Sequence, residues 1–281
     1  RAFADLDLVE RWMLTRLNET IAAVDEAVSR YRLNEAALLV YDLFWRDYCD
    51  WYLELIKPAK GETMGEETLA LAVELYERMV QLLHPFMPFI TEELWWRLRP
   101  RAAGEACIVS AWPEASPAET DPEAARTFAL VQELVTGIRS VRSQYGVAPS
   151  RTIAATVNVG DPALVDVLHR QAGAFRRLAG VEDLTVGAGL EKPRASAAVV
   201  VERHEVFVPL AGMIDLTEER ARLEKELAQK RGFLGSVENK LRNQQFVARA
   251  PEDVVRKERQ KAADARAEIA ALEANLADLA G

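Results

Sequence analysis

Residues 41–57 read Tyr41-Asp-Leu-Phe-Trp-Arg-Asp-Tyr-Cys-Asp-Trp-Tyr-Leu-Glu-Leu-Ile-Lys57. The rings of Tyr41, Phe44, Trp45, Tyr48, Trp51 and Tyr52 recur at steps of three and four, the spacing of a helix face. No glycine or proline interrupts the run until Pro58, which stops it. A helix carrying so many rings has to bury most of them, and a helical bundle is the arrangement that lets it.

The same period extends on both sides. Upstream, Leu6, Val9, Met13, Leu17, Ile21, Val24 and Val28 make one apolar face. Asn34 is placed to cap the aromatic helix, with Leu33 and Leu38 spaced as a hydrophobic staple. Downstream, a helix over Glu66–Leu83 turns Leu69, Val73, Tyr76, Val80 and Leu83 inward. Pro85 and Pro88 end it, and Thr91 caps a short helix to Leu98 with Glu92 and Glu93 in its first turn. Residues 1–120 therefore predict an antiparallel helical bundle. Residues 121–215 mix periods and predict a small α+β connecting domain. Cys107–Ala111 before it is an extended piece. Pro122–Gln144 is a long helix, Thr152–Val159 a strand, and 162–178 a helix between Asp161 and Gly180. Leu184–Val186, Ala197–Val201 and Glu205–Val208 are strands, the last two a hairpin around 202–204.

Residues 216–281 carry heptads. Leu216, Leu223, Leu227, Lys230, Leu234, Val237 and Leu241 fit the core positions of one frame. Val255, Glu258, Ala262, Ala265, Ile269, Leu272, Leu276 and Leu279 fit a second, with Asn243–Ala250 between them. Asp215 with Glu218 starts the first helix and Pro251 the second. Two helices of ~28 residues at ~1.5 Å each predict an antiparallel coiled-coil hairpin roughly 40 Å long. The chain as a whole is expected to be mainly α.

Composition bounds the function. The chain has 281 residues, 35 Lys+Arg, 44 Asp+Glu and a net charge of −9, with 49% hydrophobic residues. With 14 Gly, 12 Pro and 2 Cys it is neither collagenous nor a disulfide scaffold. No apolar run reaches the roughly 18–20 residues of a membrane span, and Cys49 and Cys107 form no framework, so a reducing, cytoplasmic setting is expected. The first residue is Arg1, so the chain is expected to be part of something longer. The charge is unevenly placed: residues 1–120 hold 12 basic and 21 acidic side chains, whereas residues 225–261 hold 10 basic and 5 acidic. A whole-chain charge that seems to exclude a nucleic-acid partner thus says little about the hairpin.

Catalytic motifs are missing. His84, His169 and His204 lie in three different segments, which leaves little for a metal site or a triad; His84, before Pro85, reads as a structural histidine. There is no zinc knuckle and no phosphate-binding glycine loop. No catalytic residue, metal or cofactor is expected within these residues. Binding residues are better supplied. Lys225, Lys230, Arg231, Lys240, Arg242, Arg249, Arg256, Lys257, Arg259 and Lys261 gather around the hairpin tip, either as a solvated coiled-coil surface paired at i,i+4 or as a contact for a polyanion read by shape and phosphates. Phe246 at the tip is either a plug for the turn or a stacking ring. Arg11, Trp12 and Arg16 lie within one and a half turns. Trp12 falls outside the inward set, so it is either an edge platform for an unstacked base or packed on a neighbouring helix. Arg139 and Arg142, three apart on one helix, are possible phosphate contacts.

Three stretches carry a resemblance: Glu10-Arg-Trp-Met-Leu-Thr-Arg-Leu-Asn18, the aromatic run Tyr41–Lys57, and Leu83-His-Pro-Phe-Met-Pro-Phe-Ile-Thr-Glu-Glu-Leu-Trp95. They resemble the anticodon-binding domain of class I aminoacyl-tRNA synthetases for branched aliphatic amino acids. Within that class the Phe44–Tyr52 run is similar to the valyl-tRNA synthetase family. Val208–Leu216, Asn243–Phe246 and Ala250–Val255 resemble that family's C-terminal tRNA-binding arm. The isoleucyl enzymes differ by a cysteine-rich zinc tail, and the leucyl enzymes lack such an arm. The resemblance implies a valine-specific tRNA as partner, with no DNA and no membrane. It implies a bundle that reads the anticodon and an arm that lies against the tRNA elbow. It also implies that the family's His-Ile-Gly-His and Lys-Met-Ser-Lys-Ser signatures, its ATP site and its catalytic and editing domains lie outside these residues, and that the helix opening the anticodon-binding domain is absent. A structural coiled-coil module binding a protein partner is the alternative.

Overall fold

The computed structural model describes residues 2–59, 61–211, 216–243 and 251–280. They divide into two compact units, Arg1–Gln132 and Glu133–Gly281.

The first unit is a helical bundle. Helix α1 (Leu8–Ser29) opens on a capping box: the Glu10 amide donates to Asp7 at 2.8 Å and the Asp7 amide to Glu10 at 3.1 Å. Helix α2 (Leu33–Tyr41) continues as a π-helical segment, Asp42–Leu53, and ends in the turn α3 (Glu54–Ile56). The π winding shows in the burial, because Leu43, Tyr48 and Tyr52 step inward by five and then four residues. The Tyr48 hydroxyl donates to the Ala72 carbonyl at 2.8 Å, and burial holds its pKa well above the usual phenol value. Asn34 is not the cap. The helix starts at Leu33, directly after a tight corner at Tyr31 (φ +58°), and Leu33 and Leu38 are both exposed rather than stapled.

Helix α4 (Glu66–Leu83) has the expected bounds but a rotated face. Ala72, Leu75, Met79 and Leu82 are buried together with Val80, whereas Leu69 is exposed. The helix packs on three neighbours, α1, α2 and α5, so its buried sector is wider than one apolar stripe. Helix α5 (Pro88–Leu98) begins at its proline, three residues before the expected cap. Thr91 is therefore internal. Its hydroxyl donates to the Met87 carbonyl and lies 2.7 Å from His84 Nδ1, whereas His84 Nε2 is buried with no hydrogen-bond partner among the described residues. Glu92 reaches out of the helix to accept from the amides of Cys107 (3.0 Å) and Ile108 (3.3 Å), so this stretch winds into a 3-10 turn, Cys107–Val109, instead of extending.

The division between units falls inside helix α6 (Pro122–Gln144), whose bounds match expectation. The second unit holds a mixed sheet of order β2-β1-β4-β3. Strands β1 (Ile153–Asn158) and β2 (Val181–Gly187) are parallel, while β4 (His204–Pro209) runs antiparallel to both β1 and β3 (Ser196–Val201). The parallel crossover contains α7 (Leu164–Arg170) and α8 (Ala172–Ala179), where one helix was expected; Gly173 weakens continuity there. Gly180 ends α8 at φ +67°, as a helix-terminating glycine should. Gly137 of α6 faces Val199 of β3 so closely that a Cβ would meet it at 2.9 Å.

Helices α9 (Leu216–Arg242) and α10 (Glu252–Ala280) pack together as a hairpin. Leu223, Leu227 and Val237 are buried from α9, and Val255, Glu258, Ala262 and Ala265 from α10. Asp215, half of the expected capping box, lies outside the described residues.

Candidate nucleic-acid interface

Trp12 is not a platform. It is 2% exposed, and its ring lies on Phe128 with centroids 4.2 Å apart, while Trp51 meets the same Phe128 edge-on at 6.2 Å. Sequence periodicity treated α1 as having one apolar face. In the structure more than one side of the helix is covered, because Phe128 of α6 supplies a second contact that no local pattern announces. The flanking arginines are engaged as well. Arg11 pairs with Asp121 at 3.1 Å; Arg16 pairs with Asp47 at 3.0 Å and Glu19 at 2.8 Å. Burial alone would push the Arg16 pKa down, but Asp47 and Glu19 outweigh it and raise the pKa.

Two concave regions of the bundle went unrecognised in the sequence. The smaller, of about 260 Å³, lies where the start of the chain meets α4; Phe3, Leu6 and Leu14 line it with the carboxylates of Glu67, Glu74 and Glu119. The larger, of about 700 Å³, is mostly apolar and includes Val28, Leu33, Phe86 and Trp112. The Trp112 indole donates to Asp25 at its rim (2.7 Å), and the corner between α1 and α2 carries Tyr31, 90% exposed. The residues of each cavity come from distant parts of the chain, so no spacing rule finds them.

In the second unit, Arg142 is buried. It donates to the carbonyls of Ala148 (2.7 Å) and Arg151 (2.8 Å) and so ties down the loop that enters β1. With the residue only 9% exposed, its guanidinium is not open to a phosphate, which corrects the expectation for this residue. Arg139 donates to the Leu178 carbonyl at 2.6 Å.

The basic residues of the hairpin fall into two groups. Lys230 was expected in the core. It stands at the flank and pairs across the hairpin with Glu268, because its ammonium reaches water past the seam. Arg231 crosses to Glu273 at 2.6 Å, and Arg266 returns the contact to Glu238 at 2.6 Å. Nearer the tip, Lys240, Arg256, Lys257 and Arg259 are exposed and show no ion pair among the described residues. Arg242 sits 3.7 Å from Glu238, and Lys261 pairs with Glu258 at 2.7 Å. Lys225 is exposed further from the tip. Phe246 and Arg249 lie outside the described residues. Among the described residues there is no group of three potential metal ligands, and no helix is long and apolar enough to cross a membrane.

An acidic helical bundle followed by a small mixed sheet and a hairpin with a basic tip defines a class. The family model for the anticodon-binding domain of tRNA ligases matches residues 10–157, and the chain belongs to that family. The model of the valyl tRNA synthetase tRNA binding arm matches residues 215–280. Curated relatives narrow the likeness to valine–tRNA ligases. That of Geobacter sulfurreducens is 40% identical over 266 residues, which is 94% of this chain and 30% of the relative. That of Nitratidesulfovibrio vulgaris is 39% identical over 290 residues, 100% of this chain and 33% of the relative. That of Chlorobaculum tepidum is 36% identical over 270 residues, 95% of this chain and 30% of the relative. The chain spans about a third of the length of the curated relatives it matches.

Proposed function

We propose that this chain is the tRNA-handling part of a valine–tRNA ligase acting in the cytoplasm. It binds the valine-accepting tRNA, while ATP-dependent activation of valine and its transfer to that tRNA occur on catalytic domains outside these residues. The observation that carries this reading is the run of exposed basic side chains, Lys240, Arg256, Lys257 and Arg259, with no ion pair among the described residues, toward the end of a hairpin roughly 40 Å long. Such a hairpin reads phosphates and shape rather than sequence.

The bundle would discriminate the anticodon. With Trp12 buried, the smaller cleft suits that task best. The second and third anticodon letters for valine are A and C, whose exocyclic amino groups donate hydrogen bonds that carboxylates accept. The cleft combines such a carboxylate, that of Glu74, with Phe3 and Leu6. The alternative, a hairpin that recruits a partner coil, has less support, because the seam leucines Leu223 and Leu227 are covered within the hairpin itself.

The test compares binding of a valine tRNA transcript by the full chain and by a version ending at Leu216. Deprived of the arm's grip on about five phosphates, the shortened chain should bind far more weakly and with a much shallower salt dependence between ~50 and ~200 mM. Equal affinities would remove the arm from the interface. Phe3→Ala should lower the preference for valine tRNA over an anticodon-altered transcript, whereas Trp112→Ala should not.

A further inference from the structure

Glu258 is a carboxylate where a coiled-coil seam calls for an apolar side chain. It is 8% exposed and sits between Val255 and Ala262, both buried in the seam. Its Oε1 accepts from the Lys261 ammonium at 2.7 Å, while its Oε2 is buried and has no hydrogen-bond partner among the described residues. Lys240, on the opposite helix, acts on the same carboxylate electrostatically. Placing an ion in a seam costs stability, and an apolar residue there would hold the helices better. What the carboxylate supplies instead is a fixed anion paired with Lys261 and within electrostatic reach of Lys240, both in the basic stretch near the tip.

We propose that Glu258 is a positioning residue for phosphate binding: it holds the Lys261 side chain, and draws that of Lys240, at one flank of the hairpin as a ready pair of cations. A free lysine is a mobile point charge on a four-carbon stem, and its rotamer freedom is lost when it binds. A buried carboxylate takes that ordering out of the binding step. The proposal rests on the tRNA-binding reading of the arm.

The sign of the effect separates this role from simple proximity. Removing an anion beside a polyanion site should tighten binding if Glu258 contributes nothing but its charge. Removing a positioning group should loosen it. One phosphate contact corresponds to a salt slope of ~0.7–0.9, hence about five- to eightfold in affinity at ~0.1 M salt.

The experiment measures valine tRNA binding by the full chain across a salt series for wild type, Glu258→Gln, Glu258→Leu, Lys240→Ala, Lys261→Ala and the double variant Glu258→Gln/Lys261→Ala. Glu258→Gln should weaken binding about fivefold and lower the slope by about one phosphate. Lys261→Ala should add little in the Glu258→Gln background. Glu258→Leu should raise the melting temperature of the hairpin and still weaken binding, which excludes unfolding as the cause. Unchanged or tighter binding by Glu258→Gln, with both lysine variants weakened, overturns the positioning role and leaves the arm reading intact. If neither lysine variant nor truncation at Leu216 alters binding, the arm reading fails and the proposal with it.

Discussion

Replacing Trp12 tests whether the bundle uses this ring for packing or for RNA. The side chain is 2% exposed, and its contact with Phe128 at 4.2 Å is backed by Trp51, which meets the same ring edge-on. Truncation to alanine removes a whole buried indole, a change that costs ~3–5 kcal/mol in well-packed cores. Of this, ~0.5–1.5 kcal/mol belongs to the aromatic pair. Against a domain stability of ~5–15 kcal/mol, Trp12→Ala threatens the fold itself. Trp12→Phe keeps a ring over Phe128 and should cost roughly 1–2 kcal/mol, so it carries the functional half of the test. Urea unfolding followed by near-ultraviolet circular dichroism gives the stabilities. A cycle with Phe128→Leu isolates the pair energy, and competition binding compares valine tRNA with an anticodon-altered transcript. The expected outcome is a less stable Phe variant whose discrimination is unchanged. A Phe variant that keeps full stability but loses discrimination would refute the buried placement and return Trp12 to the interface.

Three further outcomes are expected. Arg142→Met should destabilise the second unit by about 2–4 kcal/mol in thermal or urea unfolding, because the carbonyls of Ala148 and Arg151 lose a charged donor, with tRNA affinity unchanged where the variant is folded. Gly180→Ala should cost about 1–2 kcal/mol, since an L side chain is strained at φ +67° and its Cβ would meet Arg142 at 2.9 Å. Glu92 bears on pH. Burial pushes its pKa up, but hydrogen bonds from the amides of Cys107 and Ile108 and from Trp96 outweigh that and leave it lowered. A lowered folded-state value means its stabilisation is present above the unfolded carboxylate pKa of ~4.3 and is lost as pH falls through the folded value. Melting temperatures of Glu92→Gln should therefore depend less on pH below ~4.3 than those of wild type.

What the sequence disclosed follows the range of the interactions involved. The bounds of α4 and α6, the 202–204 hairpin and the αL glycine at 180 are set by neighbours within a few residues, and all were legible. The two arm helices, with Leu223, Leu227 and Val237 buried from one and Val255, Ala262 and Ala265 from the other, came from heptad period alone. Failures began where a partner from elsewhere in the chain decides. Phe128 covers Trp12, and Glu92 bends Cys107–Val109 into a turn. The face of α4 turned because it serves three neighbours, which periodicity cannot weigh against each other. The candidate site shared this fate. The arm cations could be counted from sequence, but which of them cross to Glu268 and Glu273 could not. Neither could the cleft of Phe3, Leu6, Glu67 and Glu74, assembled from residues more than sixty positions apart.

The cross-hairpin ion pairs have a consequence for how the arm responds to its medium. Lys230–Glu268, Arg231–Glu273 and Arg266–Glu238 are all partly solvated, with side-chain exposures between 27% and 59%, and they join helices whose seam is thinned by alanines. Each such pair is weak, worth ~0–1 kcal/mol, and is screened by added electrolyte. If the arm binds tRNA as proposed, ions act twice on this hairpin: they compete for phosphate contacts, and they loosen the brace that keeps its two halves in register. An apparent charge count taken from the fall of affinity with ionic strength will include both. Helicity followed over the same series measures the second contribution, and only the remainder belongs to the RNA.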